Sequence, residues 1–242
     1  MYKTGCHQES TRIVRHELYV VNIVAEQFFS RVLSAKAALF GIMRHGLFEE
    51  TMRAQDFSVS TASKLVRKIV EQNVENILAC GVSSREAELE ILKFVPQLQR
   101  FAHEYTGFGG GGTKGRRALV EGAVPCLPAL QFVATSAEAI EEPIASPELG
   151  LYGKIDMLVT AKMASADAQS LAFAAETMVG IELKTGHKQE THTSHMAQLA
   201  LYVLMMRTRY GKSDNGILLY MNNENIQAKR VAPLLNEVKT LI

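Results

Sequence analysis

Residues Gly150 to Lys162 read GLYGKIDMLVTAK, and Glu176 to Tyr202 read ETMVGIELKTGHKQETHTSHMAQLALY. Each stretch opens as a short apolar run of strand character. Each then carries charge where a buried strand should carry none. Asp156 interrupts the first run, and Glu182 and Lys184 flank Leu183 in the second. Side chains alternate across a strand, so Glu182 and Lys184 share one face while Ile181 and Leu183 turn to the core. A Glu-x-Lys triplet alone is usually an ion pair. Asp156 changes the weighing, because an unpaired charge inside an apolar run is costly. Two carboxylates on neighbouring strands repel unless a cation lies between them, and such hard oxygen ligands suit Mg²⁺ or Mn²⁺. A helix is expected next. On it His195, Gln198 and Tyr202 share a face, beside a core stripe of Leu199, Val203 and Met206.

Upstream, apolar spacings of three and four predict a helix from Glu17 to Met52, with Gly41 at a break or a close contact. A second helix is expected over Thr61–Ala79, capped by Ser60 or Thr61 and ended by Gly81. A third starts at Ser83 or Ser84 in a capping box with Glu86, and Pro96 should kink or split it. Thr106 to Arg117, TGFGGGGTKGRR, reads as a flexible insertion at residues 106–117. Its Gly-rich run is not a phosphate loop, which needs a preceding strand and a Lys followed by Ser or Thr. Short strands follow: AIEEPIAS, GLYGKIDMLVTA and TMVGIELKT, with residues 162–177 taken as a mobile connection. After the helix come GILLYM and NIQAKRVA as a hairpin, then a closing helix. Residues 1–16 are expected to be a disordered arm, and 17–242 a single domain. The order predicts an α/β fold, a mixed β-sheet flanked by helices, behind a helical N-terminal half.

The 242 residues are 47% apolar with a formal charge of +1, which allows a sizeable core and excludes a global basic field. No run approaches the length of a membrane span, and the first residues lack the apolar core of a secretory signal. Cys6, Cys80 and Cys126 show neither a disulfide framework nor zinc spacing, as expected in a reducing compartment. From Lys184 to Lys212, Lys184, Lys188, Arg207, Arg209 and Lys212 stand against Glu190 alone, with His187, His192 and His195 among them. That excess could meet phosphates or form a solvated helix face.

Taken together, GKID, ELKTG and His195-x-x-Gln198-x-x-x-Tyr202 resemble the RecB-like branch of the PD-(D/E)XK nucleases, with their restriction-endonuclease-like core. Within it, the chain resembles the nuclease domains of eukaryotic replication helicase/nucleases. IEEPIASPELGLYGKID, GIELKTGH, HMAQLALYVLMM, GILLYM, GIMRHGLFEETM and AELEILKFVPQLQRFAHEY extend the likeness over roughly Phe40 to Met221. The resemblance implies His45, Asp156, Glu182 and the Leu183 carbonyl as ligands of Mg²⁺ or Mn²⁺. Asp156, Glu182 and Lys184 would be catalytic, and Gln198, Tyr202 and His195 would touch substrate. It further implies endonucleolytic cleavage of single-stranded DNA and 5′ flaps in DNA replication and repair, leaving a 5′-phosphate. A partner that coats single-stranded DNA and a nuclear location, with a mitochondrial one besides, come with it.

The family usually holds a 4Fe-4S iron–sulfur cluster on one upstream cysteine and three closely spaced downstream ones. Here Cys6 is the one candidate and the trio is missing, while Cys80 and Cys126 read as buried thiols. Helicase motifs are also missing, as expected of a fragment or a shortened version. Two other readings stand beside the first: a CRISPR-associated RecB-like nuclease, and a catalytically impaired DNA-binding module without the cluster.

Overall fold

The computed structural model describes residues 35–107, 118–148, 150–169, 171, 174–186, 193–211 and 213–233. The expected arm, Cys6, residues 17–34 of the first expected helix, residues 108–117 of the Gly-rich stretch, His187, Lys188, His192, Lys212 and residues 234–242 of the closing helix expected over 231–242 lie outside those residues, and Val231 belongs to a strand.

The first described element, α1 (residues 35–54), is continuous through Gly41. That glycine marks a close contact rather than a break. A Cβ there would stand 3.4 Å from Thr185 Oγ1, and the Thr185 hydroxyl donates to the Gly41 carbonyl at 3.1 Å. Met43 and Leu47 are fully buried. At about 2 kcal/mol each, they fix which face of α1 turns inward and therefore where His45 points. The helix expected over Thr61–Ala79 is two, α2 (Val59–Gln72) and α3 (Val74–Ala79). Its cap is Ser58, whose Oγ accepts from the Thr61 amide. Asn73 divides the pair, its side-chain amide donating to the Ile69 carbonyl at 2.8 Å, a local bond that competes with helix continuation. Ser83 caps α4 (Ser84–Leu92) by accepting from the Glu86 amide. Pro96 sits in the first turn of α5 (Val95–Tyr105), where a missing N–H costs nothing, so the expected split is real.

Six strands follow: β1 (Ala118–Gly122), β2 (Leu130–Ser146), β3 (Leu151–Ser165), β4 (Glu176–Lys184), β5 (Gly216–Met221) and β6 (Ile226–Val231). Between β4 and β5 runs α6 (Thr193–Tyr210), the crossover that their parallel pairing requires. Each strand pairs with the next, antiparallel elsewhere. The mixed sheet flanked by helices is thus as expected. Beyond that expectation, β1 returns to β6 in parallel at Glu121↔Lys229 and Gly122↔Arg230, closing the curled sheet into a barrel. β3 is longer than foreseen: residues 162–165, expected in a connection, pair with β2 as far as Leu130↔Ser165.

The sheet is buried on two sides. Met157, Val159, Val179, Ile181, Leu183, Ile217 and Leu219 join the large core under α1–α5. Leu218, Tyr220 and Val231 pack under Leu199, Ala200 and Val203 of α6. The all-apolar β5, buried at every position, is the strand shared by both layers. No helix among the described residues is long and apolar enough to cross a membrane.

Candidate functional site

Pairing between β3 and β4 ends at Met157↔Ile181. One residue further along each strand stand Asp156 and Glu182, where the two strands part. Asp156 fills the opening: its Oδ2 accepts from the Leu183 amide at 2.8 Å. The N–H and C=O of one residue leave an extended strand on the same side, so the Leu183 carbonyl opens toward the same gap. Both layers reach this point, α1 from one side and α6 from the other.

From α1 comes His45. Its Nε2 lies 2.9 Å from Glu49 Oε1, 3.6 Å from Asp156 Oδ1 and 3.8 Å from Glu141 Oε1. Single ligand atoms of His45, Glu141 and Asp156 all fall within 4.8 Å of one another. Glu141 sits across β2 from Asp156, between the pairs Ile140↔Met157 and Glu142↔Ile155. Its φ is +57°, a left-handed conformation that costs a non-glycine residue about 1–3 kcal/mol and concentrates at functional sites. Lys154 pairs with it.

From the α6 side the lysine is held. Lys184 Nζ donates to Glu182 Oε1 at 2.6 Å and to Gln198 Oε1 at 3.3 Å. The Gln198 amide in turn donates to the Tyr202 hydroxyl at 3.3 Å. Tyr202 packs against Gly153, where any Cβ would run into its ring. The glycine of GKID thus makes room for the ring at the end of this chain of bonds.

Charge in the cluster is unbalanced. Glu49, Glu141, Asp156 and Glu182 face His45, Lys154 and Lys184. Burial pushes the Asp156 carboxyl up, against His45, the Leu183 amide and Lys184. Burial and then the Asp156 charge push Glu182 up, against Lys184. Burial draws the His45 imidazolium down, but Glu49, Asp156 and Glu182 outweigh it and its pKa ends raised. Glu182 is 2% exposed, and its Oε2 is buried with no hydrogen-bond partner among the described residues. An orphaned carboxylate oxygen beside a histidine and further carboxylates fits a hard divalent cation. An open cleft of about 600 Å³, lined by Ile42, His45, Glu49, Glu141 and Thr185 among others, leads to the cluster.

Of the residues singled out in the sequence, His45, Asp156, Glu182, Leu183, Lys184, Gln198 and Tyr202 come together here. His195 stands one strand over: its Nδ1 is 3.0 Å from the Tyr220 hydroxyl, and Tyr220 is the register partner of Lys184. Of the described basic residues between Lys184 and Lys212, Lys184 is in the site, and Arg207 and Arg209 are engaged elsewhere. Arg209 is bound to Glu142 and to the Pro143 carbonyl, and Arg207 faces Asp214. Both sit at the far end of α6, about 14 Å (Arg207) and about 17 Å (Arg209) from Gln198 at 1.5 Å per residue. Neither described cysteine is a buried thiol: Cys80 is half-buried beyond α3 and Cys126 is exposed in the turn after β1, where Pro125 and Pro128 keep the chain out of the sheet. Two residues went unnoticed in the sequence. Glu141 shows in the sequence only as one of two adjacent acids in a strand, with nothing local to set it opposite Asp156. Glu49 was visible as the residue four after His45 on one helix face.

The family model for DNA replication factor Dna2 matches residues 22–161, more than half of the chain, including His45, Glu141 and Asp156. The chain is 27% identical over 204 residues to the DNA replication ATP-dependent helicase/nuclease JHS1 of Arabidopsis thaliana. It is 23% identical over 206 residues to the DNA replication ATP-dependent helicase/nuclease DNA2 of Homo sapiens. A shorter likeness, 38% over 89 residues, is to the protein of the same description from Schizosaccharomyces pombe. These alignments cover 80%, 82% and 36% of this chain but 14%, 18% and 6% of the relatives. The chain therefore spans less than a fifth of the length of these relatives.

Proposed function

We propose, because the chain belongs to the DNA replication factor Dna2 family, that it is the nuclease portion of a replication helicase/nuclease, a divalent-metal-dependent endonuclease acting on single-stranded DNA and 5′ flaps. The observation that carries this is the opened β3–β4 pair, which brings Asp156, Glu182 and Lys184 together under His45. His45, Glu141, Asp156, Glu182 and the Leu183 carbonyl would hold Mg²⁺ or Mn²⁺. The bound ion supplies Lewis-acid polarisation of the scissile phosphodiester. Lys184, fixed between Glu182 and Gln198, is placed to orient the attacking water and to meet the negative charge that grows on the phosphate. Gln198 and Tyr202 hold the lysine, and His195 with Tyr220 borders the path of the strand. An excess of carboxylates would repel a DNA backbone by itself, so binding and cutting are both expected to need the cation. A nuclear location and a partner that coats single-stranded DNA follow from the same reading.

The test is cleavage of labelled 5′-flap and single-stranded DNA with Mg²⁺ or Mn²⁺, against chelator and against Asp156→Ala. Cleavage that survives both controls sinks the proposal. Metal-dependent turnover excludes the reading as a catalytically impaired DNA-binding module.

A further inference from the structure

β3 outruns one of its neighbours. Its pairing with β4 stops at Met157, while its pairing with β2 continues to Leu151. The last turns of β2 and the first residues of β3 therefore form a two-stranded ribbon that extends past the sheet, with the acid cluster at its base. Alternation puts Tyr152, Lys154 and Asp156 on one face of that ribbon. The Lys154–Glu141 ion pair shows that this face belongs to the cluster, and Gly153 on the other face lies under Tyr202.

Tyr152 is 78% exposed, more than any other large apolar side chain among the described residues. Its cross-strand partner is Ala145, too small to cover a ring. No hydrogen bond, ion pair or ring contact among the described residues uses it. At about 3.3 Å per residue it stands about 13 Å from Asp156. That is about four base steps of a B-form strand, and fewer of an extended one.

We infer that Tyr152 is a base-stacking platform for the DNA strand that enters the site, a specificity residue that selects unpaired bases. This rests on the nuclease reading above. A base stacks on an exposed ring through its π-face, whatever its identity. In a duplex those faces are taken by neighbouring bases, so the ring rewards single strands alone. Lys154, paired with Glu141, lies between the ring and the cut.

The experiment uses the full chain with Mg²⁺, and reads fluorescence anisotropy on single-stranded oligonucleotides made nuclease-resistant by phosphorothioate linkages. In these an abasic site is moved one position at a time. The intact ring should show a drop in affinity of about tenfold when the abasic site reaches one or two adjacent positions. Tyr152→Phe should keep that profile. Tyr152→Ala should bind intact strands about tenfold more weakly and show a flat profile. A flat profile with the ring present overturns the inference whatever the alanine variant does, as does a Tyr152→Ala profile that keeps its dip. If the parent chain neither binds these strands nor cuts ordinary ones, the nuclease reading falls and takes this inference with it. Cleavage that persists beside a flat profile removes only the role of Tyr152.

Discussion

Arg44 and His45 are neighbours on α1, yet they enter two buried polar clusters of opposite character. Arg44, 4% exposed, donates to Glu90 at 2.9 Å, and Glu90 also receives Lys93 and the Asn223 amide. One carboxylate there answers two cations. Burial works against its charge, but Lys93, Asn223 and Arg44 overcome it and its pKa ends lowered. His45 enters a cluster in which carboxylates outnumber the cations and the two most buried acids are pushed up. In the first cluster the Glu90 charge is met by the chain itself, although Arg44 Nε and Asn223 Oδ1 are buried without a partner among the described residues, and it ties α1 to α4 and to the turn after β5. In the second, carboxylates outnumber the cations among the described residues, and the proposed ion would supply the balance. Burial alone does not mark a site; the sign of the unmet charge does.

Matched substitutions separate the two clusters. Glu182→Gln should lower flap cleavage about a thousandfold and leave metal-free stability equal or higher, since it removes a like-charge contact with Asp156. A Glu182→Gln protein that cuts within tenfold of the parent would place the chemistry elsewhere. Next in size is the response to the ion. At a hundred times its Kd, Mg²⁺ or Mn²⁺ should stabilise the parent chain by about 2.7 kcal/mol against urea, and Glu182→Gln by far less. Equal stabilisation of both would mean that the ion binds somewhere other than this cluster. Glu90→Gln should do the reverse of Glu182→Gln. It should cost about 2 kcal/mol of stability, because buried Arg44 loses its counter-ion, while the folded protein keeps cleavage within a few-fold. A large loss of turnover at unchanged stability would show that the Arg44 cluster belongs to the site after all.

The sequence displayed one of these clusters far better than the other. Asp156, Glu182 and Lys184 were legible because each breaks the apolar pattern of a strand, and a broken pattern needs a cause. His45 was not legible from its own helix, where a histidine breaks nothing; only the family resemblance singled it out. Glu141 stayed hidden for a different reason. Its meaning comes from standing opposite Asp156, and the β2–β3 register passes through irregularities between Ala134 and Ser136 and between Ala137 and Ala139. No local pattern reports the sum of such shifts. Barrel closure was hidden likewise, since Glu121 and Lys229 meet across more than a hundred residues of chain. The division of the second helix at Asn73 turned on one side-chain amide against an otherwise helical pattern.

pH should separate the clusters with the smallest effect of all. Asp156 and Glu182 hold protons more tightly folded than unfolded, so the unfolded chain is the first to lose them as pH rises. Metal-free stability should therefore fall with rising pH from the ordinary carboxylate range up through their raised values. His45, also raised, adds stability that is fully present below its ordinary pKa of 6.5 and is lost as pH climbs through the folded value. Glu90 runs the other way. Its contribution is present above the ordinary carboxylate value and is lost as pH falls through the lowered one. Urea midpoints measured against pH in metal-free buffer should thus slope downward on the alkaline side for the parent chain. The slope should be shallower in Glu182→Gln, and the acid-side loss, to which other carboxylates held low also contribute, should be smaller in Glu90→Gln than in the other two. Parallel profiles for the three proteins would mean that the two clusters titrate alike, and the contrast between neighbouring Arg44 and His45 would lose its electrostatic basis.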